Sequence, residues 1–405
     1  MNSTLNELFA IQNKIVSFIP TRFRRYIKID WSKRLIVIVG ARGTGKTTLV
    51  LQHFIETYKS SIDCLYFSVD NPLVANKGIY EVGKAFFTYF GNTLIIDEVH
   101  KQTNWAIDIK ALYDSFPDKK IIILGSSKLN IINQKSDLSR RALIYNLKGL
   151  SFREFIELKY NIKFDYYSLE EILDNHLIIS SKILRIAPEI KKYFYEYKQF
   201  GFYPFFSQYS AAEYQSVLHN VIDKIIYEDV PSLKNIKSSS SVIFKKLVAY
   251  LAISKIPTVN VSSMCNELDI KKETLYEFID LLNRTDIINI IRRKNATIRS
   301  LKYSKILLLN PNLYFAISNE LWTHDTDLGN IRESFFVSQI DKNIFVSKIV
   351  DYTINIANKT IEIEIGGKNK SRTQIKDIEN GYLFKDDIEI GFENIIPLFL
   401  AGFLY

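Results

Sequence analysis

Cysteine is nearly absent: the 405 residues contain only Cys64 and Cys265, far apart in the chain. That excludes a disulfide framework and a zinc knuckle, and makes a reducing, cytoplasmic setting the expectation. The opening run MNSTLNELFAIQNK lacks the basic region, apolar core and small-residue cleavage site of a secretory leader. The apolar run IIPLFLAGFLY at 395–405 is too short to span a bilayer and is interrupted by Pro397, so it reads as buried core and no membrane partner is expected. No internal repeat is visible. Hydrophobic residues at 47% and charged residues at 24% argue against long disorder.

A chain of this length implies two to three domains, each able to bury its own core. The net charge of +9 suits an anionic partner, DNA first among them, but is silent on fold. The basic run Arg22, Arg24, Arg25 reads as a solvated face.

The most informative stretch is LIVIVGARGTGKTTLV at 35–50. An apolar strand (35–39) precedes Gly40-Ala41-Arg42-Gly43-Thr44-Gly45-Lys46-Thr47, which fits G-x-x-x-x-G-K-[ST], and a helix follows. Glycines let the backbone N–H groups turn inward on phosphate oxygens, Lys46 reaches the β/γ-phosphates, and Thr47 can hold Mg²⁺. Gly40, Gly43, Thr44, Gly45, Lys46, Thr47 and Thr48 are therefore the expected nucleotide contacts. The strand Thr93-Leu94-Ile95-Ile96 ends in Asp97-Glu98, the Walker B arrangement. Asp97 is expected to bind Mg²⁺, and Glu98 to orient and deprotonate water. A third strand ends in Gly125-Ser126-Ser127, where Ser127 or Ser126 is placed to sense a γ-phosphate. Arg140 and Arg141 follow; an arginine stabilises charge in phosphoryl transfer, often from a neighbouring subunit.

Around these motifs, apolar runs at 35–39, 65–69, 93–97, 121–125 and 143–147 alternate with helical stretches beginning near 45, 78, 105 and 134. That alternation predicts a parallel sheet covered on both faces. Residues 150–235 read as helices only. After Ser238–Ser241, helices at 242–254, 261–268 and 271–285 precede two strands at 287–293 and 298–309, the order of a winged helix-turn-helix. Lys271, Lys272 and Thr274 would start its recognition helix, with Arg292, Arg293, Lys294 and Arg299 in the wing. Residues 325–405 give α/β signals: a helix at 331–341, strands at 344–347, 350–356 and 361–365, then a last helix and the apolar end.

GARGTGKTT, TLIIDEVH, Trp105, ILGSS, SRRA and above all the run Leu150-Ser151-Phe152-Arg153-Glu154-Phe155 resemble a family of archaeal and bacterial AAA-type ATPases. Glu196-Tyr197 and Gly201-Phe202-Tyr203-Pro204 resemble the lid of that family. The resemblance implies an α/β fold: a P-loop AAA-type parallel sheet with a helical lid, then a winged-helix domain and a small restriction-endonuclease-like domain. It divides the chain into an N-terminal helical segment (1–34), ATPase core (35–150), lid (151–237), winged helix (238–320) and nuclease-like domain (321–405). It selects Arg141 over Arg140 as the arginine acting on the nucleotide, in cis or in trans within a homo-oligomer. It also implies a nuclease constellation at Glu333, Asp351 and Glu364. There Gly366 stands where the pattern calls for lysine, leaving Lys368, or Gln374 from the following helix, as a substitute and implying a degenerate site.

The expected cofactors are ATP and Mg²⁺, and the expected activity is Mg²⁺-dependent ATP hydrolysis that repositions the C-terminal modules on DNA. Two other readings are an ATP-gated, metal-dependent DNA endonuclease and a nucleotide-dependent switch that binds a protein partner.

Overall fold

The computed structural model describes residues 2–58, 62–125, 140–234, 236, 239–254, 260–296, 301, 303–320, 327–340, 343–356 and 359–405. The chain forms two compact units, one of residues 1–149 with 228–235 and one of residues 150–227 with 236–405. Among the described residues no helix is long and apolar enough to cross a membrane.

The first unit is built on β1 (Leu35–Val39), β2 (Cys64–Ser68), β3 (Thr93–Asp97), β4 (Lys120–Gly125) and β5 (Leu143–Asn146). They form one parallel sheet in the order β2-β3-β4-β1-β5. Strand side chains alternate between two cores, which is why these runs are apolar throughout. Leu35, Val37, Ile96 and Ile123 pack on one face with α1 (Asn2–Ser17), α3 (Ile79–Tyr89) and α4 (Trp105–Ser115). Ile36, Ile38, Ile95 and Ile122 pack on the other with Val50 and Phe54 of α2 (Lys46–Thr57). β5 is an edge strand with exposed Leu143 and Ile144.

The second unit opens on α5 (Phe152–Tyr160), followed by α6 (Leu169–Ile186), α7 (Ile190–Phe200) and α8 (Ala211–Lys224). Ser151, Ser168 and Ser210 each close a capping box with a glutamate three residues on, satisfying otherwise orphaned backbone donors. The run LSFREF is thereby explained as architecture. Ser151 and Glu154 cap the helix, Phe152 and Phe155 are fully buried among aromatic rings, and Arg153 donates to the carbonyls of Phe164 and Tyr405.

Next come α9 (Ser240–Ile253), α10 (Val261–Leu268) and α11 (Lys272–Arg284), then an antiparallel hairpin of β6 (Ile288–Ile291) and β7 (Lys305–Leu308). After α12 (Pro311–Glu320) and α13 (Leu328–Gln339) the chain forms a mixed sheet. Its order is β12-β11-β10-β9-β8, from β8 (Ile344–Val346), β9 (Tyr352–Ile356), β10 (Lys359–Gly366), β11 (Gly381–Lys385) and β12 (Ile395–Pro397). Beyond β10 the sequence led to the expectation of a last helix. Instead, two further parallel strands and a short 3-10 turn (Leu398–Phe403) complete the chain. These segments are too short, and too interrupted by Gly381, Gly391 and Pro397, to declare a period.

Candidate active site

The loop after β1 turns where only glycine fits. A Cβ on Gly40 would sit 2.2 Å from the Leu147 carbonyl oxygen, and Gly45, capping α2, has φ 89°. The Lys46 ammonium is buried in the loop and donates to the Gly40 and Ala41 carbonyls at 2.9 and 3.0 Å. Arg25 braces the loop from outside, donating to the carbonyls of Thr44, Lys148 and Gly149 at 2.8–2.9 Å. The basic run read as a solvated face thus includes a structural arginine.

β1 and β3 are both parallel to β4, so Lys46-Thr47 and Asp97-Glu98 meet at one carboxyl edge of the sheet. The Thr47 hydroxyl donates to Asp97 Oδ2 at 2.6 Å, and the Tyr66 hydroxyl donates to the same oxygen at 3.2 Å. Burial pushes the Asp97 carboxyl up, only partly countered by the Thr47 hydrogen bond. A hard-oxygen pair of this kind, hydroxyl plus buried carboxylate beside a phosphate cradle, fits Mg²⁺, which takes few protein ligands and keeps several waters.

Glu98 sits in the left-handed backbone region at φ 53°, ψ 36°, an uncommon state for a non-glycine residue and one often stored at functional sites. Its Oε2 lies 3.3 Å from Nε2 of His100, whose ring is buried. Burial pushes His100 down to about 4, so at neutral pH it is uncharged, and Glu98 Oε2 is buried beside it without a hydrogen-bond partner among the described residues.

Arg42, at one of the open positions of the loop motif, forms a two-pronged ion pair with Asp229, at 2.8 and 3.2 Å. Lys101 pairs with the adjacent Glu228. Segment 228–235 is thus tied to the nucleotide loop, a pairing with no local signal in the sequence.

Arg141 lies elsewhere. Leu143 pairs in register with Ile36, so Arg141 stands level with Arg34 at the amino edge of the sheet. Both guanidinium groups lie over the Tyr113 ring, and Arg141 pairs with Asp114 at 3.2 Å. The P-loop edge is one full strand away, on the order of 15–20 Å. Arg140 is exposed beside it. Ser126 and Ser127 lie outside the described residues.

In the second unit Glu333, Asp351 and Glu364 come together, but around lysines. Lys305 bridges Glu333 and Asp351, and Lys370 pairs with Glu364 at 2.5 Å. Lys368, the substitute expected from the sequence, is exposed. Lys370 replaces it because its side chain lies over Gly366, where a Cβ would meet it at 2.4 Å. Lys271 and Lys272 are exposed at the start of α11. Arg293 lies over the Tyr303 ring and bridges to Val346 of β8, while Arg299 lies outside the described residues.

Residues 32–156 match the family model described as an AAA domain, and residues 191–321 match a domain of unknown function, DUF8612. The first stretch is thus similar to an AAA domain and contains the G-x-x-x-x-G-K-[ST] loop of residues 40–47. A protein of Methanocaldococcus jannaschii described as uncharacterized protein MJ1637 is 27% identical over 418 residues, covering 94% of this chain and 86% of that one. Among solved structures, AMPPCP-bound DnaA from Aquifex aeolicus aligns over 68% of this chain and 86% of its own, at 16% identity and a TM-score of 0.27. The Aeropyrum pernix ORC1 protein in complex with DNA aligns over 77% and 92%, at 12% identity and a TM-score of 0.30. Neither alignment bears on what this chain binds.

Proposed function

We propose that the protein is a Mg²⁺-dependent ATPase whose hydrolytic cycle acts on the helical and C-terminal modules, with DNA as the load. The observation that carries the reading is the meeting of Lys46, Thr47, Asp97 and Glu98 at one sheet edge, with Thr47 and Asp97 2.6 Å apart. Residues 40–48 bind the triphosphate through inward N–H groups and the α2 N-terminus. Lys46 exchanges its two carbonyl partners for phosphate oxygens. Thr47 and Asp97 would hold Mg²⁺, which when bound neutralises phosphate charge. Glu98 orients water and takes its proton, its buried Oε2 being without a hydrogen-bond partner among the described residues.

The support for DNA is the +9 charge and the helix-helix-helix-hairpin order with exposed Lys271 and Lys272. Arg293, packed on Tyr303 and bridged to Val346, adds little to that surface.

The test is nucleotide binding and turnover of wild type and Lys46→Ala, with and without duplex DNA. Loss of one charged partner should weaken ATP binding by about 1.5–3 kcal/mol, or roughly ten- to a hundredfold. DNA should raise turnover. Tight ATP binding with turnover indifferent to DNA would favour the nucleotide-switch reading instead.

A further inference from the structure

The acids of the second unit hold a cation that belongs to the chain itself. Lys305 opens β7, in the hairpin that follows the three helices, and its side chain is 6% exposed. Its ammonium donates to Glu333 Oε2 at 2.7 Å and to Asp351 Oδ1 at 2.8 Å, and lies 4.7 Å from the Tyr352 ring centre. The remaining valences are met nearby. The Tyr352 hydroxyl donates to Glu333 Oε2 at 2.5 Å, the Ile365 amide donates to Asp351 Oδ2 at 2.9 Å, and Lys370 pairs with Glu364.

Buried carboxylates need positive charge close by. A divalent ion shared by Glu333 and Asp351 would sit about 2.0–2.6 Å from both oxygens. That volume is where the Lys305 ammonium lies. The backbone runs the same way: Val346 N–H donates to the Arg292 carbonyl at 2.9 Å, joining the hairpin to edge strand β8.

We propose that Glu333 and Asp351 form a cation site whose resident cation is Lys305, so that the hairpin is latched to the C-terminal sheet and divalent metal is excluded while it stays docked. The inference is independent of the ATPase reading. It makes the docked form inert as a metal-dependent nuclease, and it makes hairpin release the step that would uncover the acids.

The experiment is a Mn²⁺ titration of the full chain, read as paramagnetic broadening of the Ile365 amide resonance and as melting temperature. In wild type and Lys305→Arg, Mn²⁺ should leave that resonance sharp and the melting temperature unchanged. In Lys305→Met the melting temperature should fall, Mn²⁺ should restore it, and the resonance should broaden at Mn²⁺ concentrations on the order of tenfold or more below any effect on wild type. Broadening of the wild-type resonance at the same Mn²⁺ concentration as in Lys305→Met would overturn the proposal, as would a folded Lys305→Met that ignores Mn²⁺. Should Lys305→Met not fold, the wild-type resonance decides alone: sharp supports the latch, broadened refutes it.

Discussion

Glu98 combines a strained backbone with a carboxylate 3.3 Å from the imidazole of His100, and burial of that ring makes the fold sensitive to acid. His100 has its folded-state pKa pushed down to about 4 by burial, against an ordinary value near 6.5. Between those two values the unfolded chain binds more protons than the folded one. The stability held by neutral His100 is therefore complete above pH 6.5 and is lost as pH falls toward 4, by up to about 3 kcal/mol. Urea melts at pH 7 and pH 4.5 should show this loss, and His100→Gln should reduce it; His53, also pushed down to about 4, leaves a residue of the effect. At this scale the sequence is candid about Lys46, Thr47, Asp97 and Glu98, because phosphate and metal chemistry fixes residue type and spacing together. It is silent about the partners of Arg42 and Lys305, since ion pairs spanning 187, 28 and 46 residues leave no local pattern.

Among elements, the parallel sheet was legible because strands buried on both faces must be apolar at every position, as LIVIV in β1 is. The C-terminal sheet was read only in part: β11 and β12 are short, and the connection from β10 to β11 carries turns where a crossover helix was expected. The run LSFREF identified a family by resemblance, yet the structure assigns it to capping and core. Ser151→Ala should cost about 1 kcal/mol in a chemical melt by removing the helix cap. Segment 228–235 is coupled to the P-loop through Arg42 and Asp229, whose side chain is 6% exposed. Arg42→Ala leaves that carboxylate without its two-pronged partner and should weaken the docking of residues 228–234 locally by about 3–5 kcal/mol. The measurement is hydrogen exchange at residues 228–235, which should rise with little change in β3.

For the whole molecule, the position of Arg141 bears on assembly. It stands at the amino edge of the sheet while the P-loop stands at the carboxyl edge, so it can serve a nucleotide only in a second copy of the chain. If Arg141 is the arginine acting in phosphoryl transfer, mixing Arg141→Ala with Glu98→Gln should recover turnover that neither variant shows alone. Full activity of Arg141→Ala by itself would remove it from the mechanism.

The proposed hydrolysis of ATP takes place at the edge shared by Lys46, Thr47, Asp97 and Glu98. Its most direct test is phosphate release at saturating Mg²⁺-ATP by wild type and Glu98→Gln, with ATP affinity measured on the same samples. Turnover of Glu98→Gln should be lower by about 10²–10⁴-fold with affinity unchanged, since Glu98 acts on the water and not on the phosphates. Equal turnover in the two proteins would contradict it.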